Sequence, residues 1–195
     1  MRSDLVIYLA GSIRDDKPAD IEWREQVITA MQDLPVTFLN PLGGKQYDAA
    51  TRIWTMGTTH QASATMIVKQ DFWCVDRSDI VIFNFIALAE GYPNIGTLVE
   101  FGRATKAGAL IYSIIPKEYT GHENPTMYRL HPFLEQNSAG IFHGVEECVE
   151  FLQVQLSVLT GLKPRYGGTI NGTGNRQAEV AEGGRCSPIC VAPSE

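Results

Sequence analysis

The chain has 195 residues, 44% of them hydrophobic, and a net charge of −6. That length and composition suit one domain with a real core and exclude a disordered chain. No apolar run approaches the ~18 residues of a membrane span, and the negative charge argues against a nucleic-acid polymer as partner.

Met1-Arg-Ser-Asp4 leads straight into a strand pattern without the apolar stretch of a signal peptide. Leu5–Ala10 is a short apolar run ending in Gly11-Ser12, which predicts a buried strand and a turn. Ala19–Gln32 places Ile21, Val27, Ile28 and Met31 at helical spacing. Val36–Leu39 predicts a second strand, stopped by Asn40-Pro41. Leu42–Gln61 has no clean period and contains three glycines, which predicts a long loop; loops of that length in compact domains are usually functional. A helix follows over Ala64–Arg77, then a strand over Ile80–Phe85 and a helix over Ile95–Lys106. Ala109–Ile115 predicts a fourth strand, Glu118–Asn137 is polar and irregular, and Gly144–Leu159 predicts a closing helix.

This alternation of strand and helix predicts an α/β fold: one doubly wound parallel sheet with helices on both faces. The almost wholly apolar strands agree, because strands covered on both faces lose alternation. From residue 163 onward the chain is rich in glycine and poor in core residues, so we expect a domain over residues 1–162 and a flexible tail over residues 163–195. Four cysteines (Cys74, Cys148, Cys186 and Cys190) are too few and too scattered for a disulfide framework. A reducing cytoplasm is the expected setting.

Several residues fall where ligands bind in open α/β sheets, outside the carboxyl ends of the strands. Glu100 is expected in the first turn of its helix, where the positive end of the dipole favours an ionised carboxylate. Such a group suits a nucleophile for covalent glycosyl transfer; the plain alternative is a carboxylate that only complements the dipole. Tyr8, two residues before the first turn, is either core or a hydroxyl aimed at a ligand and at Glu100. Asp71 shares a helix face with Ile67, Cys74, Val75 and Ser78, a setting that desolvates it and calls for a partner or a purpose. Gly11, Ser12 and Arg14 form either a simple turn with a solvated guanidinium or a cradle for a phosphate or a sugar hydroxyl. Asn94 is either a helix cap or an amide facing a nucleobase edge, and Gly96 stands at the same turn. Gln46 and Tyr47 offer an amide and an aromatic in the long second loop. His60, His122, His131 and His143 show no metal-ligand spacing, and no metal is expected.

Four segments occur in order: Ile7-Tyr-Leu-Ala-Gly-Ser-Ile13, Asn40-Pro-Leu42, Val68-Lys-Gln-Asp-Phe-Trp-Cys-Val-Asp-Arg-Ser-Asp79 and Ile95-Gly-Thr-Leu-Val-Glu-Phe-Gly-Arg-Ala104. Together they resemble the nucleoside 2-deoxyribosyltransferase family across roughly Leu5–Ile115, loosely through Leu162 and not in the tail. The last two segments are the specific ones. The resemblance implies a flavodoxin-like fold and, in nucleotide salvage, exchange of the base of a 2′-deoxynucleoside with a free nucleobase through a covalent deoxyribosyl-enzyme. It makes Glu100 the nucleophile at C1′, Tyr8 its hydrogen-bonding partner, Asp71 a substrate contact and Gln46 a base contact. No cofactor is implied. A homo-oligomer is implied, with Asn124 or Met127 reaching a neighbouring subunit's site.

Asn94 departs from the family pattern, which often has an aspartate there as proton donor to the leaving base. Gly11-Ser-Ile-Arg14 resembles the related 2′-deoxynucleoside 5′-phosphate N-hydrolases, whose first loop binds the 5′-phosphate of a deoxynucleotide. Hydrolysis is thus the second reading, and a non-catalytic nucleotide-binding module the third. Convergence of Tyr8, Asp71 and Glu100 on one pocket separates an enzyme from the third.

Overall fold

The computed structural model describes residues 5–14, 17–48, 53–56, 60–61, 63–92, 94–117 and 131–160, all within one compact unit, Met1–Pro164. The expected tail, Asn124 and Met127 lie outside the described residues, as do the side chains of Gln46 and Tyr47.

The first half alternates β1 (Leu5–Gly11), α1 (Ala19–Ala30) and β2 (Val36–Leu39) with a small excursion, β3 (Lys45–Asp48), β4 (Ile53–Met56) and β5 (His60–Gln61). Then come α2 (Ala64–Val75), β6 (Ile80–Asn84), α3 (Ile86–Ala89), α4 (Ile95–Ala107), β7 (Leu110–Ile114), α5 (Pro132–Asn137), β8 (Gly140–Phe142) and α6 (Val145–Leu159). Five strands form one parallel sheet in the order β2-β1-β6-β7-β8. Counting only these strands, the order is the flavodoxin-like 2-1-3-4-5, with its switch point between β1 and β6.

The strands are apolar on both faces, yet each face has its own partners. Ile7, Leu9, Ile80, Ile82, Tyr112 and Ile114 pack with Trp23 and Val27 of α1 and Cys148, Leu152 and Leu156 of α6. Tyr8, Ala10, Val81, Phe83 and Ile111 pack with Cys74 and Val75 of α2 and Phe101 and Ala104 of α4. The period of two along β1 therefore puts Tyr8 on the α2–α4 side.

Two expectations need correction. Residues 42–61 are not a structureless loop: β3, β4 and β5 form a three-stranded antiparallel sheet, with Gln46 opposite Thr55. Lys45-Gln-Tyr-Asp48 and Ile53-Trp-Thr-Met56 are too short and too mixed in polarity to display a period. The stretch expected to be irregular up to Asn137 ends in a helix, α5, opened by Pro132 at its first turn and capped by the His131 side chain. The short elements α3 and β8 complete the fold and were not anticipated.

Candidate active site

The carboxyl end of β1 opens into a cleft of about 520 Å³. Tyr8, Gly11, Ser12 and Ile13 line it from β1 and its loop, Asp71 and Phe72 from α2, and Asn94, Gly96 and Glu100 from the start of α4. The three residues expected to converge therefore do so.

Helix α4 begins at Ile95, so Glu100 stands in its second turn, not the first. The dipole fades within the first turn and is not what governs this carboxyl. Its position follows from helical spacing: Thr97, Phe101 and Ala104 are buried against the sheet, and Glu100 shares their side. Tyr8, fully buried, donates its hydroxyl to Glu100 Oε1 at 2.7 Å. Burial pushes the Glu100 carboxyl up to about 7, and Asp71 pushes the same way; the Tyr8 bond, Arg24 and Lys45 pull it down. The carboxyl is therefore poised near neutrality rather than held firmly ionised. Burial, then Glu100 and Asp71, drive the Tyr8 hydroxyl well above its ordinary range, so it stays a donor.

Asp71 finds the partner its apolar neighbours require. Lys45 Nζ lies 2.9 Å from Asp71 Oδ1, and the lysine side chain is only 3% exposed. Burial raises the Asp71 carboxyl, and Lys45 opposes that rise. Lys45 could not be read from the sequence, because the segment that carries it shows no period.

Arg14 is engaged within the protein. Its guanidinium donates to Asp20 at 2.6 and 2.8 Å and to Glu90 at 2.6 Å, and it stacks 5.1 Å from the Tyr92 ring centroid. It ties the β1–α1 loop to the segment before α4. Asn94 occupies the cap position of α4, yet its side chain makes no capping bond. It is 3% exposed, and among the described residues neither its Oδ1 nor its Nδ2 has a partner. On the cleft wall this amide has a donor and an acceptor free to pair with a bound molecule. Gly96 lines the cleft with open space about its Cα. Gln46 is placed on β3 by its backbone.

Asp79, just before β6, accepts from the Val6 amide at 2.9 Å. Asp76 is exposed and pairs with Arg103 of α4. No metal-holding cluster of His, Cys, Asp and Glu occurs among the described residues, and none of the described helices is long and apolar enough to cross a membrane.

The fold is that of an α/β protein with a cleft around a buried carboxyl at the switch point of its sheet. The family model for nucleoside 2-deoxyribosyltransferase-like proteins matches residues 4–118, and the chain belongs to that family. Among solved structures it resembles a conserved protein from Enterococcus faecalis at 15% identity, covering 78% of this chain and 99% of that one with a TM-score of 0.56. A 2-deoxyribosyltransferase from Bacillus psychrosaccharolyticus is 17% identical, with 77% and 95% covered and a TM-score of 0.54. A deoxyribosyltransferase from Leishmania mexicana is 20% identical, with 76% and 97% covered and a TM-score of 0.50. At these identities the likeness is one of fold. No curated protein matches the sequence.

Proposed function

We propose that this protein transfers the 2-deoxyribosyl group between nucleobases, with Glu100 as nucleophile. The observation that carries this reading is the 2.7 Å bond from Tyr8 to Glu100 at the floor of a cleft that Asp71 and Asn94 also line. The bond holds Oε1 and leaves Oε2 to attack C1′. The C1′–N bond then breaks with its electron pair going to the base, which takes up a proton as it leaves. An acceptor base attacks C1′, the Glu100 ester bond breaks, and the acceptor gives up a proton. Asn94 offers the departing base a hydrogen bond and no proton, so that proton comes from water or another acid.

Arg14 is bound to Asp20 and Glu90, which supports an unphosphorylated deoxynucleoside over a deoxynucleotide as substrate. Hydrolysis, with water in place of the acceptor base, uses the same first step. We read the chain as a homo-oligomer, because exposed Val68, Ile95 and Val99 at the mouth of the cleft give apolar surface for a second copy to cover. The free thiols of Cys74 and Cys148 support a reducing, cytoplasmic setting.

Incubation with a deoxynucleoside, with and without a free base, tests the reaction. A new nucleoside supports transfer. Free base and deoxyribose alone, with acceptor present, replace it by hydrolysis, and no turnover removes the enzymatic reading.

A further inference from the structure

Arg24 of α1 is the largest of the fully buried side chains. Its hydrogen bonds among the described residues all go to backbone carbonyls. Nε donates to Leu9 O at 3.2 Å, Nη2 to Gly11 O at 2.8 Å and Nη1 to Ser12 O at 3.4 Å; Nη1 also donates to Asp20 O. Leu9 and Gly11, two residues apart, turn their carbonyls to one edge of β1. Strand β2 ends there, its last residue Leu39 paired with Tyr8, so these carbonyls have lost their strand neighbour. The guanidinium's fixed fork of N–H groups continues the sheet edge where β2 stops. Next to it, Trp23 closes the seat: a Cβ added to Gly11 would come within 3.2 Å of Trp23 Cζ2 and of the Asn84 Cβ and carbonyl. The guanidinium lies 4.8 Å from the Trp23 ring centroid.

A fully buried cation without a hydrogen-bonded carboxylate is costly for a loop anchor alone, since a neutral amide could take some of the same carbonyls. Of the acids near it, Glu100 and Asp71 line the cleft, and Asp20 belongs to α1 and pairs with Arg14. Burial lowers Arg24 to about 10, while Tyr8, Glu100, Asp20 and Asp71 raise it.

We propose that Arg24 is a positioning residue of this site: it fixes the end of β1, and with it Tyr8 and the Gly11–Ser12 floor, and its charge counters the acidic groups gathered around Glu100. Tyr8 of β1 touches Glu100, and the other groups whose charges act on it are Asp71 and Cys74 of α2, Lys45 of β3 and Arg24 of α1. Removing Arg24 leaves Lys45 as the one cation in that set.

The test uses the full chain and two variants. Arg24→Met removes the charge and the bonds; Arg24→Lys keeps the charge and loses the fork. Carbon-13 NMR of labelled glutamate follows the Glu100 carboxyl, assigned by its disappearance in Glu100→Gln. This readout needs no substrate, so it stands apart from the base-exchange reading. Arg24→Met should raise the Glu100 midpoint by about one pH unit. Arg24→Lys should leave it near its wild-type place, while KM for a deoxynucleoside, a readout that does rest on the base-exchange reading, rises roughly tenfold. An unmoved midpoint in Arg24→Met overturns the proposal. If Arg24→Met does not fold, Arg24→Lys decides: a raised KM with the midpoint held supports it, and an unchanged KM overturns it.

Discussion

Glu100 is held between burial, which favours its neutral form, and the Tyr8 hydroxyl with two cations, which favour the charged one. The balance near 7 has two consequences of opposite sign. In the proposed reaction the nucleophile is the carboxylate, so turnover should rise as pH climbs through about 7. The fold binds the Glu100 proton more tightly than the unfolded chain does, because the carboxyl is raised from its ordinary 4.5. The stability gained is present below 4.5 and is lost as pH climbs from there through about 7. Glu100→Gln should therefore be inactive yet more stable than wild type at pH 8, by roughly 1–3 kcal/mol, with little difference at low pH. Thermal unfolding at the two pH values measures this; an equal or lower stability of the variant at high pH contradicts the buried, raised carboxyl. Asn94→Asp makes a second test, since it places an acid beside the leaving base. General acid catalysis is typically worth about 100-fold or more, so base preference and pH dependence should both change. Rates for purine and pyrimidine deoxynucleosides across pH check it, and unchanged profiles make Asn94 a spectator. Tyr8, Asp71 and Glu100 were legible because strand and helix periods fix which side each takes. Arg24 and Lys45 were not, because each owes its role to residues distant in sequence.

At the scale of elements, the site is the meeting of two loops and a helix start. Arg14 joins the β1–α1 loop to the segment around Glu90 and Tyr92. Arg14→Ala should loosen that joint and raise KM for deoxynucleosides and their 5′-phosphates alike. A guanidinium that instead bound a 5′-phosphate would be worth ~1.5–3 kcal/mol, and its loss would weaken the nucleotide alone by tenfold to a hundredfold. Paired KM measurements separate the two. Helix α4 ends at Gly108, whose φ of 76° is left-handed. Gly108→Ala should cost about 1 kcal/mol in denaturant unfolding without touching activity; no loss would contradict the left-handed cap. The main strands were readable as unbroken apolar runs, and the four long helices because each repeats its period several times. The antiparallel strands β3, β4 and β5 were not, since strands of two to four residues show no alternation. The second-turn place of Glu100 was missed although the expected start, Ile95, was right: Glu100 is the sixth residue from it, past the first turn.

Across the whole molecule, strand order creates the site. β1 and β6 are paired to their last residues, Gly11 with Asn84, and their connections leave in opposite directions beyond that point, which opens the cleft. Helix α4 then delivers Glu100 to the same place where α2 delivers Asp71. Exposed Ile95, Leu98 and Val99 on α4 lie at or beside its mouth. If a second copy covers them, light scattering on the eluting protein should give a multiple of 21.5 kDa, and Leu98→Glu should reduce it; a monomer in both contradicts the oligomer. In the proposed reaction Glu100 forms a bond to the deoxyribosyl carbon. The most direct test of that bond is to incubate the protein with a deoxynucleoside, quench in acid, digest, and map the peptides by mass. The prediction is one added deoxyribosyl group on the peptide carrying Glu100, absent in Glu100→Gln and discharged when an acceptor base is supplied before quenching. Turnover with no adduct on that peptide, or an adduct that persists in Glu100→Gln, would contradict it.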